Sequence, residues 1–155
     1  MKISTPAGDH TGLTDAVALS QPEAVAAVLV AGVAADGVFG AEEARRLHEV
    51  LSTTRWAFGL GEEAVAAVAR RGLGLVARRG WPAVLEVSAQ AIPVDLHPTV
   101  FALAVDLMLA DGRLGSREGA LIDQLQAALR IDAPLARAVL DVLLVKNRAS
   151  GRPDV

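Results

Sequence analysis

A chain of 155 residues with 52% hydrophobic and 21% charged side chains has the size and composition of one globular domain, able to bury a core without disulfide staples. The absence of cysteine excludes disulfides, thiolate nucleophiles and zinc-cysteine sites, and a net charge of -3 gives no overall attraction to a nucleic-acid backbone. Aromatic residues make up only 3%, so the core must come from Ala, Val and Leu on closely approaching elements, a composition that suits helices.

Residues 1–19 carry one lysine and no apolar run, which reads as a flexible arm rather than a secretory signal. Ser20-Gln21-Pro22-Glu23 has the form of a capping box with proline in the first turn, so a helix is expected from there to about Ala35. Its apolar residues surround the helix, the pattern of a buried central element, and its uncharged stretch from Ala24 to Ala35 is far short of the roughly 20 residues that span a bilayer. No transmembrane segment is expected, and the protein reads as cytoplasmic. A second helix is predicted from Ala41 to Thr53, with Leu47, Val50 and Leu51 inward and Glu42, Arg45, Arg46 and Glu49 outward.

Glu62 to Arg79 reads as helical, with a break or kink at Gly72 and Gly74, since each glycine costs about 1 kcal/mol inside a helix. This stretch holds Ala-Arg-Arg-Gly twice, placing Arg70, Arg71, Arg78 and Arg79 in one segment. A solvated face is the default reading, an anionic partner or lipid surface the alternative. A short helix is expected between Pro82 and Pro93, another from Leu96 or Pro98 to Ala110, another from Ser116 to Arg130, and a last from Pro134 to about Asn147, with a flexible tail at 149–155. No stretch alternates at period two long enough to form a strand.

Ala35-Asp36-Gly37-Val38-Phe39-Gly40-Ala41-Glu42-Glu43 and Ala110-Asp111-Gly112-Arg113-Leu114-Gly115-Ser116-Arg117-Glu118 share the pattern Ala-Asp-Gly-x-apolar-Gly-x-x-Glu. Each follows an apolar helix and opens an amphipathic one, which predicts an all-α fold of about seven helices in two pseudo-symmetric lobes built from a duplicated helix-loop-helix unit. Ser116 is expected to cap its helix, and the glutamate to sit in the first turn where the dipole favours an anion. The loop also matches the second half of a calcium-binding EF-hand loop. The first two ligand positions would fall on Gly32 and Ala34, or on Leu107 and Leu109, so an ordinary EF-hand is excluded. Glu118 lies on one stripe with Leu121, Ile122 and Leu125, and Glu43 stands likewise to Leu47 and Val50, so both should point inward. Asp106 interrupts the apolar run from Phe101 to Leu109 and needs a partner.

These motifs resemble the TerB-like tellurite-resistance proteins over roughly Gln21 to Arg148, most strongly where Ala104-Val105-Asp106-Leu107-Met108-Leu109-Ala110-Asp111-Gly112 leads into Leu121-Ile122-Asp123-Gln124-Leu125. The first loop departs from the pattern in having Ala41 where a capping Ser or Asp would stand. The resemblance implies an all-helical domain over residues 20–148, a role in resistance to tellurite and other stresses, acidic residues that bind metal, and, from related domains in larger proteins, interaction with partner proteins.

Two function classes follow. In one, Asp36, Glu43, Asp106, Asp111 and Glu118 form an acidic cluster between the lobes around a divalent cation; hard oxygen ligands favour calcium, magnesium or manganese, and zinc only if His48 or His97 joins. In the other, the same loop carboxylates merely shape turns and helix starts, and the chain is a helical adaptor for partner proteins. Neither His48 nor His97 has a second histidine at metal-ligand spacing, so each reads first as structural. No nucleophile-base pair, phosphate loop or nucleotide fingerprint supports an enzyme.

Overall fold

The computed structural model describes residues 18–33, 40–54, 59–110 and 114–148, and within them the chain forms seven α-helices and no strand. Helix α1 (Gln21–Val33) starts on Ser20, whose hydroxyl accepts from the Glu23 N–H at 3.3 Å. Every residue from Ala24 to Val33 is buried, as its all-round apolar sequence requires. The capping box is only half made: the Glu23 carboxylate pairs with Arg71 of the third helix instead of reaching back to Ser20.

Around α1 pack α3 (Glu62–Arg79), α4 (Trp81–Ala91) and α5 (His97–Met108), with α2 (Ala41–Thr54) against both α1 and α3. The low aromatic content is answered by close approach of backbones. A Cβ on Gly32 would lie 2.7 Å from the Ala104 carbonyl oxygen of α5, and a Cβ on Gly72 would lie 3.0 Å from the Ala27 nitrogen. A side chain at position 32 would force α1 and α5 apart, and one at position 72 would press tightly on the α1 backbone. This explains why α3 runs unbroken through Gly72 and Gly74, where sequence reasoning placed a break. The propensity cost at Gly72 is offset by a tight helix crossing, and at Gly74 the Arg78 guanidinium lies where a side chain would be.

Gly80, at φ 73°, turns the chain from α3 into α4, a conformation that favours glycine. Pro93 ends α4, a single 3-10 turn (Val94–Leu96) follows, and α5 departs at 120° to α4. Helix α6 (Ser116–Ala128) begins on Gly115, so Ser116 is its first residue rather than its cap. It closes with Ile131 N–H donating to the Gln126 carbonyl at 3.0 Å and Arg130 in the left-handed region at φ 52°. Asp132 caps α7 (Ala133–Lys146), accepting from the Leu135 N–H at 2.8 Å, and α7 lies against α5.

The core gathers Leu29 from α1, Leu47 and Leu51 from α2, Phe101 and Val105 from α5, and Leu125 from α6. Among the described residues, no helix is long and apolar enough to cross a membrane. The expected arm falls almost wholly, and the tail wholly, outside the described residues.

Candidate functional site

Of the five carboxylates expected to share one cation, three lie in the described residues, and they occupy three different places. Glu43 stands in the first turn of α2, half-buried, and its Oε2 accepts from the Gly40 N–H at 2.9 Å. Glu118 occupies the same position on α6, folded back so that a Cβ on Gly115 would run into its carboxylate. The two repeat units thus share a local device. Glycine at the helix start leaves room for a glutamate three residues on to cover the start of its own helix, where the dipole also favours an anion. The departure from sequence reasoning is in direction: both side chains turn back along their helices rather than into a common cluster.

Asp106 on α5 is also accounted for. Lys146 Nζ donates to its two oxygens at 2.8 and 2.6 Å, and Asn147 Nδ2 donates at 2.7 Å. This ion pair clamps the end of α7 to α5, the arrangement a half-buried carboxylate needs. Asp36 and Asp111 lie outside the described residues. Among the described residues no group of three or more His, Asp or Glu is placed to hold a metal ion.

The histidines divide by burial. His48 is exposed on α2, whereas His97 is buried with both ring nitrogens facing backbone carbonyls. Nδ1 is 2.9 Å from the Leu129 oxygen, and Nε2 is 2.9 Å from that of Ile92 and 3.1 Å from that of Ala89. The Ala89 carbonyl would bond to the N–H four residues on, but that residue is Pro93, which has none. His97 therefore closes the ends of α4 and α6 and has no nitrogen left for a metal.

On the outside of α2, Arg45 bonds to Glu42 at 2.7 Å and Glu49 at 3.2 Å, and the hydrogen bond and charge of Arg45 hold the Glu42 carboxyl below the usual carboxylate range. This is the solvated face expected from the sequence. Arg70, Arg71, Arg78 and Arg79 are likewise exposed on α3. A half-open cavity of about 320 Å³ between α1, α3, α4 and α6 is lined by Ala31, Val76, Trp81, Arg117, Leu121 and Gln124, with no acid-base or nucleophile pair among its walls.

The feature that sequence reasoning missed lies on α7. Ala136, Val139, Leu140 and Leu143 face the core, yet Leu135, Ala138, Val142 and Val145 are exposed on the other side, Val142 to 65% and Val145 to 68%. The signal was present in Pro134 to Val145, which is apolar at more positions than one buried face needs.

No known protein family, curated protein or solved structure matches this chain.

Proposed function

We propose that this chain is a non-enzymatic, TerB-like helical interaction module that docks a partner protein on the outer face of α7. The observation that carries the reading is the exposed row Leu135, Ala138, Val142 and Val145. Its spacing of three, four and three is that of a coiled-coil seam, so the matching occupant is a partner helix with apolar residues at the same spacing. The Asp106–Lys146 clamp supports it by fixing the end of α7 on α5, so that the row is presented on a rigid element.

The test is a photo-crosslinking side chain at Ala138, used in the cells that make the protein, with Glu49 on α2 as the control position. A partner adduct should form from position 138 and not from 49, and should vanish in Val142→Glu/Val145→Glu. That double variant should keep its helical circular dichroism and stay within about 0.5 kcal/mol of the parent in stability, because the changes are exposed. An adduct that survives both charges would overturn the reading.

The duplicated Asp-Gly loops support a second reading, in which Asp36, Glu43, Asp106, Asp111 and Glu118 hold calcium, magnesium or manganese between two pseudo-symmetric lobes. Such an ion would have to displace the bonds that Glu43 and Asp106 already make. On the interaction reading, millimolar divalent cations leave the melting temperature unchanged. A rise that Glu118→Gln abolishes would establish the cation reading instead.

A further inference from the structure

We infer that the outer face of α3 is a second docking surface, separate from the α7 row, and that it takes a helix bearing spaced carboxylates from a partner protein. In a chain of net charge -3, residues 64–85 carry four arginines and no acid. Such local asymmetry marks a site for an oppositely charged partner rather than a balanced solvated face.

Several basic side chains on the described surface meet acids: Arg45 and Arg46 pair with Glu42, Arg137 with Asp141, Lys146 with Asp106, and on α3 itself Arg71 with Glu23. Arg70 and Arg78 do not. Arg70 Nε reaches only the Ala66 carbonyl one turn back, at 3.4 Å, and the Arg78 guanidinium lies over Gly74. Each keeps donors of its planar fork for the bidentate geometry that carboxylates accept.

The surface between them is low. Ala66, Ala67 and Ala77 are exposed, and with Gly74 they leave the helix backbone open to close approach by a second helix. Eight residues separate Arg70 from Arg78, a rise of about 12 Å, so the matching acids sit seven or eight residues apart on the partner helix. An anionic membrane is the weaker fit. Among the described residues the exposed large apolar side chains are Val94, Leu114, Leu135, Val142 and Val145, none of them on α3, so α3 itself offers no large apolar side chain to insert among lipid chains.

The test uses the full chain and a labelled alanine-based helical peptide with glutamates at that spacing, read by fluorescence anisotropy. Binding should saturate and weaken as salt rises. Arg70→Gln/Arg78→Gln should raise the Kd about tenfold or more, an affinity change of about 1.4 kcal/mol. Arg137→Gln/Arg148→Gln, on and just after α7, with the same loss of charge, should leave it unchanged. Val142→Glu/Val145→Glu should also leave peptide binding intact, so failure of the α7 reading and failure of this one are told apart. Equal loss in both arginine pairs, no peptide binding, or binding to phosphatidylserine vesicles in place of the peptide would overturn the inference.

Discussion

Gly32→Ala should destabilise the protein by about 1–3 kcal/mol, although alanine is the better helix former by about 1 kcal/mol. Gly32 is buried in α1, and the added methyl group would sit 2.7 Å from the Ala104 carbonyl oxygen and 3.3 Å from its carbonyl carbon and Cα. These are backbone atoms of α5, so relief requires moving one helix against another rather than turning a side chain. Gly119→Ala is the matched control. Gly119 is also inside a helix, α6, but a Cβ there meets nothing within 4 Å, so propensity alone should act and stabilise by up to about 1 kcal/mol. Urea unfolding should show the two midpoints moving in opposite directions at unchanged slope. If both substitutions stabilise, α1 and α5 do not approach as closely as described.

His97→Phe should cost about 1–3 kcal/mol, because it keeps a ring in the site but removes the imidazole N–H, which donates either from Nδ1 to the Leu129 carbonyl or from Nε2 to those of Ile92 and Ala89. A buried acceptor left without a donor costs about 1–3 kcal/mol, and among the described residues no other side chain bonds to these carbonyls. The effect should fall on the corner where α4, α5 and α6 meet, so amide exchange should accelerate at the ends of α4 and α6 before it does in α1. His97→Gln, which keeps one donor group, should recover part of the loss. His48→Phe, on an exposed site of α2, should stay within about 0.5 kcal/mol of the parent. Equal effects at positions 48 and 97 would show that the carbonyl bonds contribute nothing.

Much of the helix inventory was legible because helix starts and stops are local chemistry. Ser20, Pro22, Pro82, Pro93 and Pro134 mark boundaries through a hydroxyl acceptor, a fixed φ or a missing N–H, and the observed helices begin or end at or beside them. The burial of α1 was legible too, since a helix apolar on every side has nowhere else to go. Gly72 was misread because a glycine that breaks a helix and a glycine that lets two helices touch look the same along one chain. Ser116 was misread as a cap because Gly115, one residue earlier, takes the start and leaves Glu118 to cover it.

For the candidate site, the sequence by itself determined which carboxylates sit at helix starts and that Asp106 would need a partner. Only the tertiary structure decided what each of the described ones meets. Glu43 meets the backbone N–H that opens its own helix, and Asp106 meets Lys146 and Asn147, forty and forty-one residues further on. Periodicity fixes the angle at which a side chain leaves its helix, not the partner within its reach. A carboxylate takes the donor that satisfies it at least cost in desolvation and order, and that donor becomes known only when α7 is laid on α5 or the chain turns at Gly40. The same packing decided which apolar surface stays open, for α7 is apolar on two sides, and which side is covered depends on where α5 lies.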